Sequence, residues 1–274
     1  MAEAQNNTIG VFDSGVGGLS VLHAIRQQLP DQPVIYIGDQ GHVHYGPRQL
    51  EEVRVFSTEV TRFLLDRGAR LIVVACNTAS AAALHSLRAE FPSIPFVGME
   101  PAVKPAAEQT HSGVVGVLAT YATFQGALYA SVVERFAHGV TLLQSPCPGL
   151  VGEIEKGNLT GPETRKILKD ILAPMLEQGI DTFVLGCTHY PFVIPLIEEI
   201  VGPNVRVIDP APAIARHTRR LLVEVGLLAE NTVKAPIEFY TTAAPEAMQS
   251  LLPQFLGEPG VVKKATWVDC KLKE

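Results

Sequence analysis

The sequence predicts an α/β protein of two similar lobes, each a mainly parallel sheet flanked by helices, with the active site in the cleft between them. Three observations carry this. Short apolar runs alternate with helical-period segments through all 274 residues. A buried parallel strand reads as just such a run. Two of the runs end in a cysteine followed within two residues by threonine: Ile72-Val73-Val74-Ala75-Cys76-Asn77-Thr78 and Val184-Leu185-Gly186-Cys187-Thr188. Ligands of open α/β sheets gather beyond the carboxyl ends of the strands, so both thiols sit where chemistry is usually done. Finally, no low-complexity linker parts the two series, which places lobe one at 1–98 plus 210–274 and lobe two at 99–209.

The elements follow in order. Residues 8–12 form a strand, then Asp13-Ser14-Gly15-Val16-Gly17-Gly18 turns into a helix marked by Leu19, Val21, Leu22, Ile25 and Leu29 and closed by Pro30. Strand, glycine turn and helix together present backbone amides to an anion. The plainer reading is that Gly17 and Gly18 only permit close strand–helix packing. A strand at 33–37 leads into the polar loop 39–48, where His42, His44 and Tyr45 crowd together. His-x-His ligates a metal only with further ligands in register, and with no HExxH or CxxC no metal is expected. An amphipathic helix at 50–67 precedes the strand 70–75, and Asn77, Thr78 and Ser80 are cap candidates for the alanine-rich helix running to Glu90. The strand 96–98 closes this series.

The second series places strands at 113–118, 140–143, 181–186 and 205–208. Its helices fall at 124–138, 150–156 and 162–178, and another helix spans 210–225. A tail of strand 237–241, helix 245–256 and an extended stretch 261–268 completes the chain.

Composition excludes several classes. A net charge of −6 argues against a general phosphate-backbone binder, and 7% aromatics disfavours a stacking platform for single strands. Hydrophobic residues make up 47% and mean hydropathy is +0.19, yet no uncharged run reaches membrane-spanning length. The first residues lack the basic and apolar regions of a signal peptide, and four scattered cysteines do not make a disulfide scaffold. The expectation is a cytoplasmic protein with reduced thiols.

Two opposed thiols in a cleft need their thiolates to be accessible near neutrality. A helix N-terminus after each cysteine is one device for this, and His189, two residues beyond Cys187, is another. Alone, either cysteine reads more readily as a core residue, since free cysteine is among the most buried types. The pair gains because polar partners repeat at both sites. Cys147, before Pro148, and Cys270, in the charged tail, keep the core or surface reading.

Taken together, Asp13-Ser14-Gly15-Val16-Gly17-Gly18-Leu19, Tyr45-Gly46, Ala75-Cys76-Asn77-Thr78-Ala79-Ser80 and Leu185-Gly186-Cys187-Thr188-His189-Tyr190-Pro191 resemble the glutamate racemases. The resemblance runs from about residue 8 to about residue 222. It implies cofactor-independent inversion of glutamate, supplying D-glutamate for peptidoglycan, with the cysteines as opposed bases. By that analogy Cys76 deprotonates D-glutamate and Cys187 L-glutamate. Asp13 matches the residue assisting Cys76, His189 the one assisting Cys187, and Glu155 a glutamate tied to the same side, with Glu153 close by. Ser14, Tyr45, Gly46, Asn77, Thr78 and Thr188 match substrate-holding positions, as do Thr120 and Thr123; Asp13 and His189 count among them too. The resemblance also implies a homodimer, no metal and no cofactor; no lysine or nucleotide-binding signature calls for one. The chain departs from the pattern at His42, where arginine is common, at His44, where proline is common, and at Gly149 and Gly152, which replace larger residues. The alternatives are a racemase of aspartate or another acidic amino acid, a thiol hydrolase using one cysteine with His189 as base, and a non-catalytic binding protein.

Overall fold

Residues 7–230 and 233–274 are described by the computed structural model. The chain begins with β1 (Ile9–Asp13), α1 (Leu19–Gln28), β2 (Val34–Gly38), α2 (Leu50–Asp66), β3 (Leu71–Val74), α3 (Asn77–Glu90) and β4 (Phe96–Gly98). It crosses into α4 (Val103–Gln109), β5 (Val114–Ala119), α5 (Tyr121–Gln125), α6 (Ala127–Phe136), β6 (Thr141–Ser145), α7 (Leu150–Glu155), α8 (Pro162–Leu176), β7 (Thr182–Gly186), α9 (Ile194–Val201) and β8 (Arg206–Ile208). It then returns through α10 (Ala211–Glu224), β9 (Ile237–Thr241), α11 (Pro245–Phe255), β10 (Val262–Lys264), β11 (Thr266–Val268) and β12 (Lys271–Lys273).

Two sheets result. One has six strands in the order β10-β9-β2-β1-β3-β4, the other four in the order β6-β5-β7-β8. Every pairing within them is parallel. The central strands β1, β2, β3 and β7 are buried at every residue, which is why they read as unbroken apolar runs rather than alternating ones. The edge strand β6 is partly open, and its sequence, Thr-Leu-Leu-Gln-Ser, carries the polar residues an edge tolerates. Registers align the carboxyl ends: Asp13 pairs with Gly38 and Phe12 with Val74, and in the second sheet Ala119 pairs with Gly186. The turns that follow these strands therefore emerge together.

A single apolar cluster joins the two sheets. It includes Val11, Tyr36 and Val73 of the first and Phe183 and Leu185 of the second, with Leu168, Leu172 and Leu222 from covering helices. Separate clusters fill the outer faces. Among the described residues no helix is long and apolar enough to cross a membrane.

The expected helix at 124–138 is in fact two. Gly126 takes an extended conformation (φ −71°, ψ 138°) that stops α5 and starts α6. A side chain there would meet the Ala81 methyl at 2.6 Å, so the break lets this corner lie against α3. One short helix, α4, escaped the sequence reading, and the helix expected directly after Cys187 starts only at Ile194 as α9; proline interrupts the apolar period in both (Pro105, Pro195). The stretch 261–268 divides into β10 and β11, and β11 pairs antiparallel with β12 through a turn at Asp269 and Cys270, both with positive φ.

Leu185 is fully buried two residues before Cys187. Leu185→Ala is expected to lower unfolding free energy by about 3 kcal/mol, measured by urea denaturation.

Candidate active site

Both cysteines follow the strands that carry them, and both are buried, at 5% exposure for Cys76 and 6% for Cys187. Their surroundings differ. Cys76 is the N-cap of α3, its sulfur accepting the Ala79 amide at 3.4 Å and lying 3.9 Å from the Ser14 hydroxyl. Cys187 has no such helix. A 3-10 turn (Tyr190–Val193) intervenes before α9, so the expected helix N-terminus is absent on this side. His189 takes its place: Nδ1 lies 3.7 Å from the Cys187 sulfur, brought there by a helical-turn backbone (φ −75°, ψ −34°) rather than by strand alternation.

The opposite nitrogen of His189, Nε2, lies 2.6 Å from Glu155 Oε1 at the end of α7. That same oxygen accepts the Val16 amide at 2.8 Å, and Oε2 accepts from the Gln40 side chain at 3.0 Å. Burial opposes charge on both partners, but the contacts win. Cys187 and Glu155 hold the His189 imidazolium well above the usual histidine range, and His189 with the Val16 and Gln40 donors keeps Glu155 below the usual carboxylate range. Glu153 points elsewhere, to Lys156 at 2.8 Å and to Asn158.

The glycine turn explains itself at this junction. A side chain at Gly15 would fall 1.9 Å from Glu155 Oε1, and one at Gly17 would fall 2.4 Å from His189 Nδ1. These two glycines clear space for the Glu155 and His189 side chains, and Gly18 alone serves the close packing expected of the pair, against Asp13 and Tyr36. The amides of Gly15 and Gly18 point inward to Asp13 Oδ2, at 3.2 and 2.9 Å. Asp13 is fully buried; burial raises its carboxyl above the ordinary range despite the Gly18 amide and the His189 charge. Burial, followed by the nearby Asp13 charge, pushes the Cys76 thiol well up.

A narrow cavity lies between the thiols. Ser14, Tyr45, Gly46, Cys76, Asn77 and Thr78 line it from one side, and Thr120, Cys187, Thr188 and His189 from the other. His44 and Val151 also line it, and neither was picked from sequence for this place. Thr120 bonds Thr78 across the cleft at 2.9 Å, while Thr123 stands behind it at 3.0 Å. Asn77 is buried, and neither its amide nitrogen nor its oxygen has a partner among the described residues. His42 turns away, stacking on Phe56 at 4.1 Å. Among the described residues no three metal-capable side chains converge. Cys147 is packed in the core and Cys270 is exposed at its turn. Gln40 and Asp39, which brace this site from the polar loop, carried no pattern that would single them out.

Comparison with known proteins agrees across the chain. The family model for Asp/Glu/Hydantoin racemase matches residues 9–218. The glutamate racemase of Pseudomonas aeruginosa (strain PAO1) is 49% identical over 260 residues, covering 95% of this chain and 98% of that protein. Among solved structures, the glutamate racemase isoform RacE1 of Bacillus anthracis superposes with a TM-score of 0.86 at 34% identity, over 95% of this chain and 97% of that one. The Francisella tularensis glutamate racemase in complex with D-glutamate gives 0.83 at 29% identity, over 97% and 98%.

Glu155→Gln is expected to cost about 3 kcal/mol near neutral pH, because it leaves His189 buried without its counter-charge. The sign differs at the two ends. Glu155 is depressed, so its contribution fades as pH falls through its lowered pKa; His189 is raised, so its contribution fades as pH rises through its elevated pKa. Thermal unfolding of wild type and variant across pH should therefore converge at both extremes and differ most between them.

Proposed function

We propose that this chain, which belongs to the Asp/Glu/hydantoin racemase family, interconverts L- and D-glutamate without a cofactor, with Cys76 and Cys187 as the two proton-transferring groups. The observation that carries this is the facing of two buried thiols on one cavity, each with its own titratable neighbour. One thiolate takes the α-proton from one face while the other thiol gives its proton to the opposite face. The carbon inverts, and the two sulfurs exchange protonation states.

The asymmetry of the neighbours supports an order of events. Cys76, held high by burial and Asp13, keeps its proton and serves as the acid for L-glutamate. Cys187 serves as the base for L-glutamate, its sulfur 3.7 Å from Nδ1 of His189, which Glu155 steadies from behind. In the reverse direction Cys76 must lose its proton to a buried setting, which Asp13 assists by accepting it. No nearby electron sink is required if fixed donors and exclusion of water stabilise the developing carbanion. The Asn77 side chain, without a partner among the described residues, offers an NH2 donor group and a carbonyl acceptor, as a group carrying both carboxylate and ammonium requires. Ser14, Tyr45, Gly46, Thr78, Thr120 and Thr188 complete the substrate-holding set, with Thr123 acting through Thr120.

A boundary between lobes at 98/99 and 209/210 is supported by the chain's changing sheets between β4 and β5 and again between β8 and β9. The protein works in the cytoplasm, where thiols stay reduced, and its product feeds peptidoglycan. The protein forms a homodimer, as the sequence resemblance implies.

Proton NMR of the protein with L-glutamate in D2O tests the reading. The α-proton signal should disappear as D-glutamate accumulates. Cys76→Ser and Cys187→Ser should each lower kcat/KM by about 10³-fold, and by the same factor in both directions, because enantiomers are equal in free energy. An unchanged α-proton with glutamate, aspartate and the other acidic amino acids would overturn it. Full racemisation by Cys76→Ser would overturn the two-thiol assignment.

A further inference from the structure

We infer that Asp39 and Trp267 are positioning residues for Tyr45, and that through them the C-terminal hairpin holds one wall of the substrate cavity in place. This rests on the functional reading above for its substrate, though not for its geometry. The family match ends at residue 218, so the segment concerned lies outside it.

Asp39 follows β2, its amide donating to the Asp13 carbonyl at 2.9 Å. Its side chain is wholly buried, and a buried carboxylate survives only where donors replace water. Here the donors come from three separate parts of the chain. Oδ2 accepts from the Tyr45 hydroxyl at 2.6 Å and faces His42 Nδ1 at 3.0 Å. Oδ1 accepts from the Thr242 hydroxyl at 2.7 Å, just past β9, and from the Trp267 indole at 2.9 Å, on β11. One carboxylate thus ties the tail to the residue that lines the cavity beside Cys76.

The aromatic packing carries the same link. Trp267 tilts against Phe56 at 5.6 Å and meets the edge of His42 at 5.1 Å, and Tyr45 lies 5.7 Å from the same Phe56. Trp267 is held in register by its pairing with Leu272 across the hairpin. The Tyr45 proton is committed to Asp39, and burial together with that carboxylate keeps the phenol un-ionised. Tyr45 consequently presents a fixed ring to the cavity. A loosened Asp39 would let the ring swing, and substrate binding would weaken before the thiols were disturbed.

Trp267→Phe removes the indole donor and keeps a ring; Thr242→Val removes the other Oδ1 donor without changing shape, and with it the acceptor of the Gly41 amide, so for that variant exchange is read at 43–48. Two measurements apply to each: steady-state kinetics with both glutamate enantiomers, and hydrogen exchange of the loop 39–48 by mass spectrometry. The expected result is a KM raised about tenfold with kcat within about twofold, and faster exchange confined to that loop. Adding Trp267→Phe to Tyr45→Phe should raise KM no further than Tyr45→Phe alone, whereas independent contributions would multiply. Unchanged loop exchange, or loosened exchange with a wild-type KM, overturns the proposal, as does a multiplicative double variant. Should Trp267→Phe fail to fold, Thr242→Val tests the same link by the same two measurements. If wild type does not turn over glutamate, the functional reading has failed; loop exchange then decides this proposal, loosened exchange supporting the link and unchanged exchange overturning it.

Discussion

Everything in the cleft depends on where one carboxylate ends up. Glu155 rises from α7 beneath the second sheet, yet two of its three donors, Val16 and Gln40, belong to the loops of the first. The third is His189, which turns its other nitrogen to Cys187. Bringing the lobes together and fixing the protonation of the histidine are therefore a single event. The glycines at 15 and 17 are the steric condition for it, since any side chain there would occupy the space of Glu155 or His189. Other bonds across the cleft, from Ser20 to the Thr188 carbonyl at 2.8 Å and between Thr78 and Thr120, close the remaining seam.

The two thiols occupy equivalent places in two similar sheets but are served by opposite charges. A carboxylate stands behind Cys76 and a cation beside Cys187. Identical surroundings would leave both sulfurs in the same protonation state, and a proposed two-base inversion needs one proton present and one absent at the start. The break in symmetry is local. Cys76 opens a long helix directly, while Cys187 is followed by the turn that places His189.

Much of this was legible in the residues. Strands buried on both faces announce themselves as apolar runs, and the two that end in cysteine gave away the cleft. Asp13 and Glu155 are named through resemblance and His189 already by its place two residues after Cys187; the structure sets Asp13 beside Cys76 and His189 beside Cys187, with Glu155 behind His189. What stayed hidden has a common cause. The roles of Gln40, Asp39 and Trp267 arise from contacts across 115 to 228 positions of sequence, which leave no local period or motif. The purpose of Gly15 and Gly17 was invisible for the same reason: the atoms they avoid come from another part of the chain. The missed helix α4 and the late-starting α9 are short and proline-bearing, so their periodicity never accumulates.

The cavity between the thiols measures only ≈ 20 Å³, about the space of a single water molecule. Glutamate is far larger, so under the proposed function the cavity has to widen for it to enter. If it then closes over the substrate, the hydrogen delivered to the carbon by the proposed two-thiol inversion is one the thiol took from water beforehand, and the isotopic composition of the product records that earlier exchange.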